Sequence, residues 1–475
     1  MIDVVVVGGG STGWAAAGNL ARRGLSVVVV DKREGAQGGA RWLNLVPEWC
    51  FDAAGLARPA PPERWGGAHR GRSFITVAGT RASVRVDQPE GAHVDMRALV
   101  ERLRDRALAA GARAQRGAVA ETLGAGRVEA VVLDDGTLLH ARLFVDASGL
   151  AGALRRRVPA LAARCPDVAP EDTCSAAEGQ YAVRDPEALA AFLAAHGMEP
   201  GDGIAFLSIA GGYSTLTLFT EPSLSEIGVL TGSIPAVGAP NGPALLERFV
   251  ARASWIGERR WGGAGAIPLR RPYATLGASG VALIGDAACQ VYGTHGSGVG
   301  MGLVAARMLA DAVGHATGGD PGADIVLDNY TRAFHRAYGG LLAGADAFRR
   351  LSQGLERSTV ARLLDTGLLD ARVLASGMSQ RLPAPDLAWL VGRAALALRH
   401  ARVAARVAPT IARMLTLSPL SRLTPGPRAR TSGPFDALVG RLVGPTPLLS
   451  SPVEHVEIDT DAPGAAARRH HQHAS

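Results

Sequence analysis

The sequence predicts an α/β chain in three parts: a parallel-sheet unit, an inserted antiparallel-sheet unit and a C-terminal helical appendage. Three observations carry this. The stretch VVVVGGGSTGW (Val4–Trp14), followed by VVVVD (Val27–Asp31), sets two buried-strand patterns on either side of a glycine cluster. The segments Arg72–Asp87, Gly203–Glu221 and Glu226–Ile234 alternate apolar and polar residues between turn signals, as hairpin strands do. Residues 341–450 read as helices rich in arginine. At 475 residues the chain exceeds what one core usually holds.

The first element pair is a βαβ unit. Val4–Val7 is a short apolar strand, Gly8-x-Gly10-x-x-Gly13 follows at once, and Trp14 to Arg23 is an alanine-rich helix closed by Gly24. Gly8 permits the tight turn, Gly10 lets a pyrophosphate approach bare backbone, and Gly13 lets helix and strand pack closely. The helix N-terminus, with Ser11 and Thr12, faces the phosphates. Asp31 ends the second strand, beside Lys32, and is placed to accept hydrogen bonds from ribose hydroxyls. An acid there disfavours a 2′-phosphate, so the nucleotide is FAD or NAD rather than NADP.

Two later motifs decide between them. ARLFVDASGLAGALRRR (Ala141–Arg157) is a strand ending in Asp146-Ala-Ser-Gly149. GVALIGDAACQVYGTHGSGVGMG (Gly280–Gly302) is another apolar strand ending at Gly285-Asp286, then a glycine-rich loop entering a helix near Gly300. An acid at such a strand end can bind ribitol or ribose hydroxyls. The exposed N–H groups at the helix start stabilise an anion.

This order of motifs resembles the FAD-dependent oxidoreductases of the p-hydroxybenzoate hydroxylase fold, which include aromatic monooxygenases, geranylgeranyl reductases and flavin-dependent halogenases. The resemblance implies a Rossmann-like FAD-binding domain of that type with FAD as cofactor and NAD(P)H as a transient reductant. By it, Asp31 holds the adenosine ribose, Asp286 the ribitol, and Gly285 and Gly298-Val299-Gly300 lie along the flavin. Arg41 reaches the phosphates, and Arg97 contacts the FAD. Ser148 stands where monooxygenases usually keep an aspartate that helps place NADPH. Cys289 and QVYGTHG replace the monooxygenases' histidine and prolines, a pattern closer to the reductase branch. That branch often keeps a cysteine near the flavin, here Cys50. Its Y-x-W-x-F-P strand leaves Tyr213, with Thr215 in place of the tryptophan. Cys50, Tyr213 and the loop residue His295 are the catalytic candidates. Each has a plainer reading, as a buried hydrophobe, a sheet tyrosine and a solvent-facing histidine. Arg270 and Arg271 would sit near the flavin edge by the family pattern. Halogenases carry an essential lysine near a W-x-W-x-I-P motif; the motif is absent and the only lysine is Lys32.

The expected boundaries are 1–75, 90–155 and 265–340 for the discontinuous FAD-binding domain, and 76–89 and 156–264 for the substrate sheet. The helical region covers 341–450 and a disordered tail 451–475. The net charge of +7 is uneven: residues 341–450 carry fifteen arginines against six acids. Arg399, Arg402, Arg406 and Arg413 share one helical face, which Pro409 should kink or divide, so 387–415 is expected to touch an anionic membrane surface or to be a solvated stripe. Four scattered cysteines make neither a disulfide framework nor a metal site. No spanning helix and no nucleic-acid partner are expected, and a cytoplasmic setting with peripheral membrane contact is. The function expected is reduction or dehydrogenation of a hydrophobic, isoprenoid-like small molecule by hydride transfer through flavin N5. A monooxygenase of an aromatic or polyketide-like substrate is the alternative, followed by a halogenase and a non-catalytic flavoprotein.

Overall fold

A computed structural model gives the fold and describes residues 2–66, 71–87, 90–315, 319–383, 386–447 and 455–460. The valine runs do what their patterning requires. Ile2–Val7 and Val27–Asp31 pair in parallel, Val4 with Val27 through Val7 with Val30. On the other side Ile2–Val7 pairs in parallel with Leu138–Asp146, which pairs in parallel with Val281–Leu283. Arg113–Arg116 extends the sheet beyond Val27–Asp31. All eight valines are at most 5% exposed, so both faces of these strands are covered. Each such side chain contributes about 1.5–3 kcal/mol of burial. The helix Ser11–Ala21 packs on these strands, and Met96–Ala109 and Val299–Gly314 pack on that helix in turn. Because the four inner strands are parallel, their carboxyl ends gather on one edge.

A second, seven-stranded sheet collects residues 73–86 and 173–268. Its order runs Ile256–Pro268, Thr173–Val183, Glu226–Ser233, Ser214–Thr220, Gly203–Leu207, Ser73–Val77, Ser83–Val86. The expected sheet is antiparallel throughout; in the structure Gly203–Leu207 pairs in parallel with Ser73–Val77. Those two strands are joined by a long excursion through the first sheet, so no hairpin fixes their direction. One face carries Tyr181, Leu218 and Val229 against the helices Pro186–Ala195 and Gly242–Arg252. The other face carries Cys174, Ala176 and Glu178 and looks onto a cavity. Leu43–Val46 and Ala92–Asp95 form a two-stranded bridge between the sheets.

The C-terminal region is helical from Gly340, and two expectations fail there. Pro409 does not divide its helix: Ala401–Ser421 runs through both Pro409 and Pro419. Proline forfeits one backbone bond, and Ala405 and Pro409 are exposed, so water can serve the carbonyl left over. The break falls instead at His400, with φ −114° and ψ 41°, which puts Arg399 on the preceding helix Leu387–Arg399. The tail is not wholly loose either. The Val456 N–H donates to the Ile209 carbonyl at 2.7 Å, Ile458 is buried in the second sheet's core, and Glu457 pairs with Arg252. The terminal histidines lie outside the described residues. Among the described residues no helix is long and apolar enough to cross a membrane.

Candidate active site

The glycine turn sits at the carboxyl edge of the first sheet. Gly8 has φ +113°, and a Cβ there would lie 2.3 Å from the Ala147 carbonyl oxygen. A Cβ on Gly13 would lie 1.9 Å from the Gly8 oxygen, so the helix Ser11–Ala21 meets its strand only because that residue is glycine. Gly10 is the residue before this helix, and no side chain caps it. The first-turn N–H groups of Ser11, Thr12 and Gly13 therefore remain available to an anion. Asp31 closes the turn: its carboxylate accepts from the Gly9 N–H at 2.6 Å and the Arg33 N–H at 2.7 Å, and keeps further acceptor capacity. Lys32 is exposed. Arg41 is half-buried, beyond the Gly38–Gly39 segment that packs on Gly9 and Gly10.

Asp286 joins the same edge. Gly285 faces Thr12, whose Oγ1 would lie 3.2 Å from a Cβ on that glycine. The Asp286 carboxylate accepts no hydrogen bond from a described residue, and burial pushes its pKa up to about 6. The helix Val299–Gly314 starts beside it after Gly298, again with no side-chain cap. Gly300 lets this helix approach Cys50, whose Sγ would be 2.5 Å from a Cβ there. One edge thus carries two uncapped helix N-termini and, between them, an unpartnered carboxylate.

The third acid of this edge is spent internally. Asp146 is fully buried and accepts from Ser148 Oγ at 2.6 Å, Ser148 N–H at 3.1 Å, and the N–H groups of Leu154 and Arg155 at 2.8 Å. These four bonds withdraw Asp146 from the acids that could accept from ribose hydroxyls. Arg97 is likewise engaged. It grips Asp95 through two bonds of 3.0 and 2.7 Å and stacks 3.6 Å from the centre of the Trp261 ring.

Next to this edge lies a cavity of about 1160 Å3. Its walls are the segment Trp42–Leu45, the inner face of the second sheet, the loop Tyr292–Ser297 and the C-terminal helices. Of the three catalytic candidates, Tyr213 and His295 line it and Cys50 does not. Burial raises the Tyr213 pKa well above its ordinary value, so it stays a neutral phenol. His295 is exposed, and its Nε2 lies 3.1 Å from the Gly377 carbonyl. Cys50 is fully enclosed between two helices, where desolvation pushes its thiol far up; it is a packing residue here. Arg270 and Arg271, expected near the flavin edge, are not among the residues lining this cavity. Arg271 is drawn off by an ion pair to Asp436 at 2.5 Å, and Arg270 stacks on Tyr273 at 4.5 Å.

Comparison with known proteins fits this geometry. The profile of the FAD dependent oxidoreductase family matches residues 3–47, and that of tryptophan halogenases residues 69–178. A geranylgeranyl bacteriochlorophyll reductase-like protein from Thermoplasma acidophilum superposes with a TM-score of 0.69 at 16% identity, over 86% of this chain and 98% of that one. The chain is an FAD-dependent oxidoreductase of the p-hydroxybenzoate hydroxylase fold. The menaquinone reductase of Mycolicibacterium smegmatis is 27% identical to this oxidoreductase over 326 residues, covering 65% of this chain and 75% of that one. The digeranylgeranylglycerophospholipid reductase of Sulfolobus acidocaldarius is 23% identical over 375 residues, covering 75% and 79%.

The oxidoreductase also holds a group that its sequence did not single out. Glu178 is 1% exposed on the cavity-facing side of Thr173–Val183. It accepts from the Leu43 N–H at 2.7 Å and from the Gln180 side-chain amide, and burial pushes its pKa up to about 7. The available signal was an acid in register with Cys174 and Ala176 in TCSAAEGQYAV, on the side the pleat turns to the cavity.

Proposed function

We propose that this oxidoreductase reduces or dehydrogenates a hydrophobic, isoprenoid-like small molecule. One observation carries the reading: the cavity of about 1160 Å3 is walled largely by aliphatic, aromatic and small side chains. Sites for compact small molecules span roughly 300–1,000 Å3, so a long chain suits this volume better than a single ring. The names of the two curated relatives, a menaquinone reductase and a digeranylgeranylglycerophospholipid reductase, support the same class.

FAD, when bound, supplies hydride transfer at its N5. The groups we assign to holding it are the backbone of Gly8, Gly10, Ser11, Thr12 and Gly13, with Asp31 at the adenosine ribose and Asp286 at the ribitol. Gly298, Val299 and Gly300 offer their N–H groups to the flavin, and Arg41 supplies a cation for the phosphates. The remaining work belongs to the cavity: it holds the substrate, excludes water and moves one proton. Glu178 is suited to the last task, since its burial keeps it protonated near neutrality.

Halogenation has a specific observation against it: Lys32 is exposed beside Asp31 and does not line the cavity. The test is anaerobic. The bound flavin is reduced with NADH, NADPH or dithionite, and then mixed with menaquinone or a geranylgeranyl lipid. Flavin reoxidation with a product heavier by two hydrogens is the expected result. If the flavin stays reduced until oxygen is admitted in a second step, and an aromatic substrate then yields an oxygenated product, the monooxygenase is established instead.

A further inference from the structure

Among the described residues twelve large apolar side chains are exposed, and nine of them fall between Leu382 and Leu438. Such clustering marks a surface that something covers. The helix Leu387–Arg399 is its centre. At 100° per residue Leu387, Val391 and Leu398 lie within about 40° of one another, and they are 77%, 60% and 81% exposed. The same helix turns Trp389, Leu390 and Ala397 to the cavity. It is therefore apolar on both its inner and its outer face. Soluble helices with one solvated face are not built this way.

Charge identifies the occupant. From Leu387 to Phe435 the sequence has eight arginines and no acid. Arg399 and Arg402 are exposed at the junction of the two helices, next to the outward leucines. A second copy would bring the same positive charge against itself, which opposes self-association. Apolar side chains ringed by arginine match an anionic bilayer surface, where the leucines enter the acyl boundary and the guanidinium groups meet phosphates.

The cavity opens toward the same place. Leu390, Ile411 and Leu415 line it and are also 48%, 40% and 67% exposed.

We propose that residues 387–415 seat this protein on an anionic lipid bilayer, with the mouth of the cavity opening into the lipid. The docking surface stands without the proposed reaction; only delivery of an isoprenoid substrate from the bilayer rests on that reading. The outward stripe of Leu387, Val391 and Leu398 is immersed, and Arg399 and Arg402 hold the headgroups.

The test uses the full chain loaded with FAD and two kinds of vesicle, phosphatidylcholine alone and phosphatidylcholine with phosphatidylglycerol. Wild type should sediment with the anionic vesicles, stay in solution with the neutral ones, and be released by salt. L387D/L398D should lose at least about tenfold in binding, and so should R399E/R402E. All four positions are exposed, so flavin content and thermal midpoint should not change; if the leucine variant misfolds, the arginine variant still decides. The proposal is overturned if wild type ignores anionic vesicles, or if both variants bind as wild type does. It is also overturned if the leucine variant instead dissolves a dimer, which would give the patch to a second copy. Turnover of detergent-solubilised substrate should be equal in all variants. Its absence in wild type counts against the proposed reaction and not against the docking surface.

Discussion

The Leu43 backbone N–H donates to Glu178 at 2.7 Å, and this bond ties the segment leaving the nucleotide edge to the sheet that walls the cavity. Glu178 is buried, and desolvation raises its pKa from an ordinary 4.5 to about 7. The folded chain thus binds a proton that the unfolded chain has already lost between those two values. In that window folding stability falls as pH rises, and above it the penalty is constant. Glu178→Gln removes the titration and keeps an acceptor for Leu43. Gln180 can turn its Oε1, which has no partner, toward the new amide. Urea midpoints measured from pH 4 to 8 should decline less steeply for the variant than for wild type. Parallel profiles would mean that Glu178 does not titrate there.

The same variant separates proton supply from cofactor binding. Flavin content and reduction by dithionite should match wild type. Flavin reoxidation by substrate should slow by about 10²-fold or more, the scale of a lost general acid. Its fall above pH 7 should disappear. A variant that kept the wild-type rate and pH profile would leave Glu178 with a structural role only.

Asp286 and Asp146 both end strands on one edge, but their partners predict opposite phenotypes. Among the described residues Asp286 has no hydrogen-bond partner, and burial disfavours its charge, so Asp286→Asn should leave the apoprotein's thermal midpoint at neutral pH equal to wild type's or higher. It should weaken FAD binding by about 10–100-fold, the worth of hydrogen bonds to a charged acceptor. Asp146 is fully buried and accepts from Ser148, Leu154 and Arg155. Asp146→Asn replaces an acceptor-only group with one that presents donors to donors, so it should destabilise the fold itself. Titration of apoprotein with FAD, alongside calorimetry, distinguishes the two.

These contrasts follow what sequence can and cannot carry. The valine runs, Gly8, Gly13 and the acids at strand ends are legible because their constraints act within a few residues: a pleat, a turn, a helix start. Asp146 and Asp286 look alike in the sequence. Their difference lies in whether later backbone N–H groups fold back, as those of Leu154 and Arg155 do. Arg271 matches a family position near the flavin, yet it is claimed by Asp436, 165 residues away, on a helix whose docking no local pattern announces. For the same reason the cavity's C-terminal wall was not foreseen: residues such as Val407 and Ile411 read simply as one face of an amphipathic helix.

The contact between the helices Ser11–Ala21 and Val299–Gly314 admits a direct test of packing. A Cβ on Gly302 would lie 2.2 Å from Thr12 Oγ1 and 3.4 Å from its Cβ. Gly302→Ala alone should lower stability by about 1–3 kcal/mol through overpacking. Thr12→Ala removes the hydroxyl and leaves an ordinary contact. The double variant should recover most of the loss, with a coupling energy well above the about 0.5 kcal/mol expected of independent sites. Chemical denaturation of the four proteins measures it. Additive effects would mean that Gly302 and Thr12 are not in contact.

The cavity's length can be probed from within. Thr215 lies on Ser214–Thr220 with its side chain in the cavity wall, two residues after Tyr213, at the position where the resembling reductases keep a tryptophan. Thr215 and Thr217 share a loose contact of 3.4 Å, and Thr215 pairs across the strands with Leu207 on one side and Gly232 on the other, so a larger side chain finds its room on the Gly232 side. Thr215→Trp should therefore enter the cavity and shorten it without touching the nucleotide edge. Flavin content and flavin reduction should be unchanged. Turnover should fall steeply with the longest polyprenyl substrates and little with short ones, because only the long chains need the space that the indole takes. Competition between substrates of graded chain length measures the shift as a ratio of kcat/KM values, which is insensitive to the amount of active enzyme. An equal loss at every length would mean that the indole blocks the reacting end, placing the flavin next to Thr215. An unchanged ratio would mean that the chain runs elsewhere, away from this sheet face.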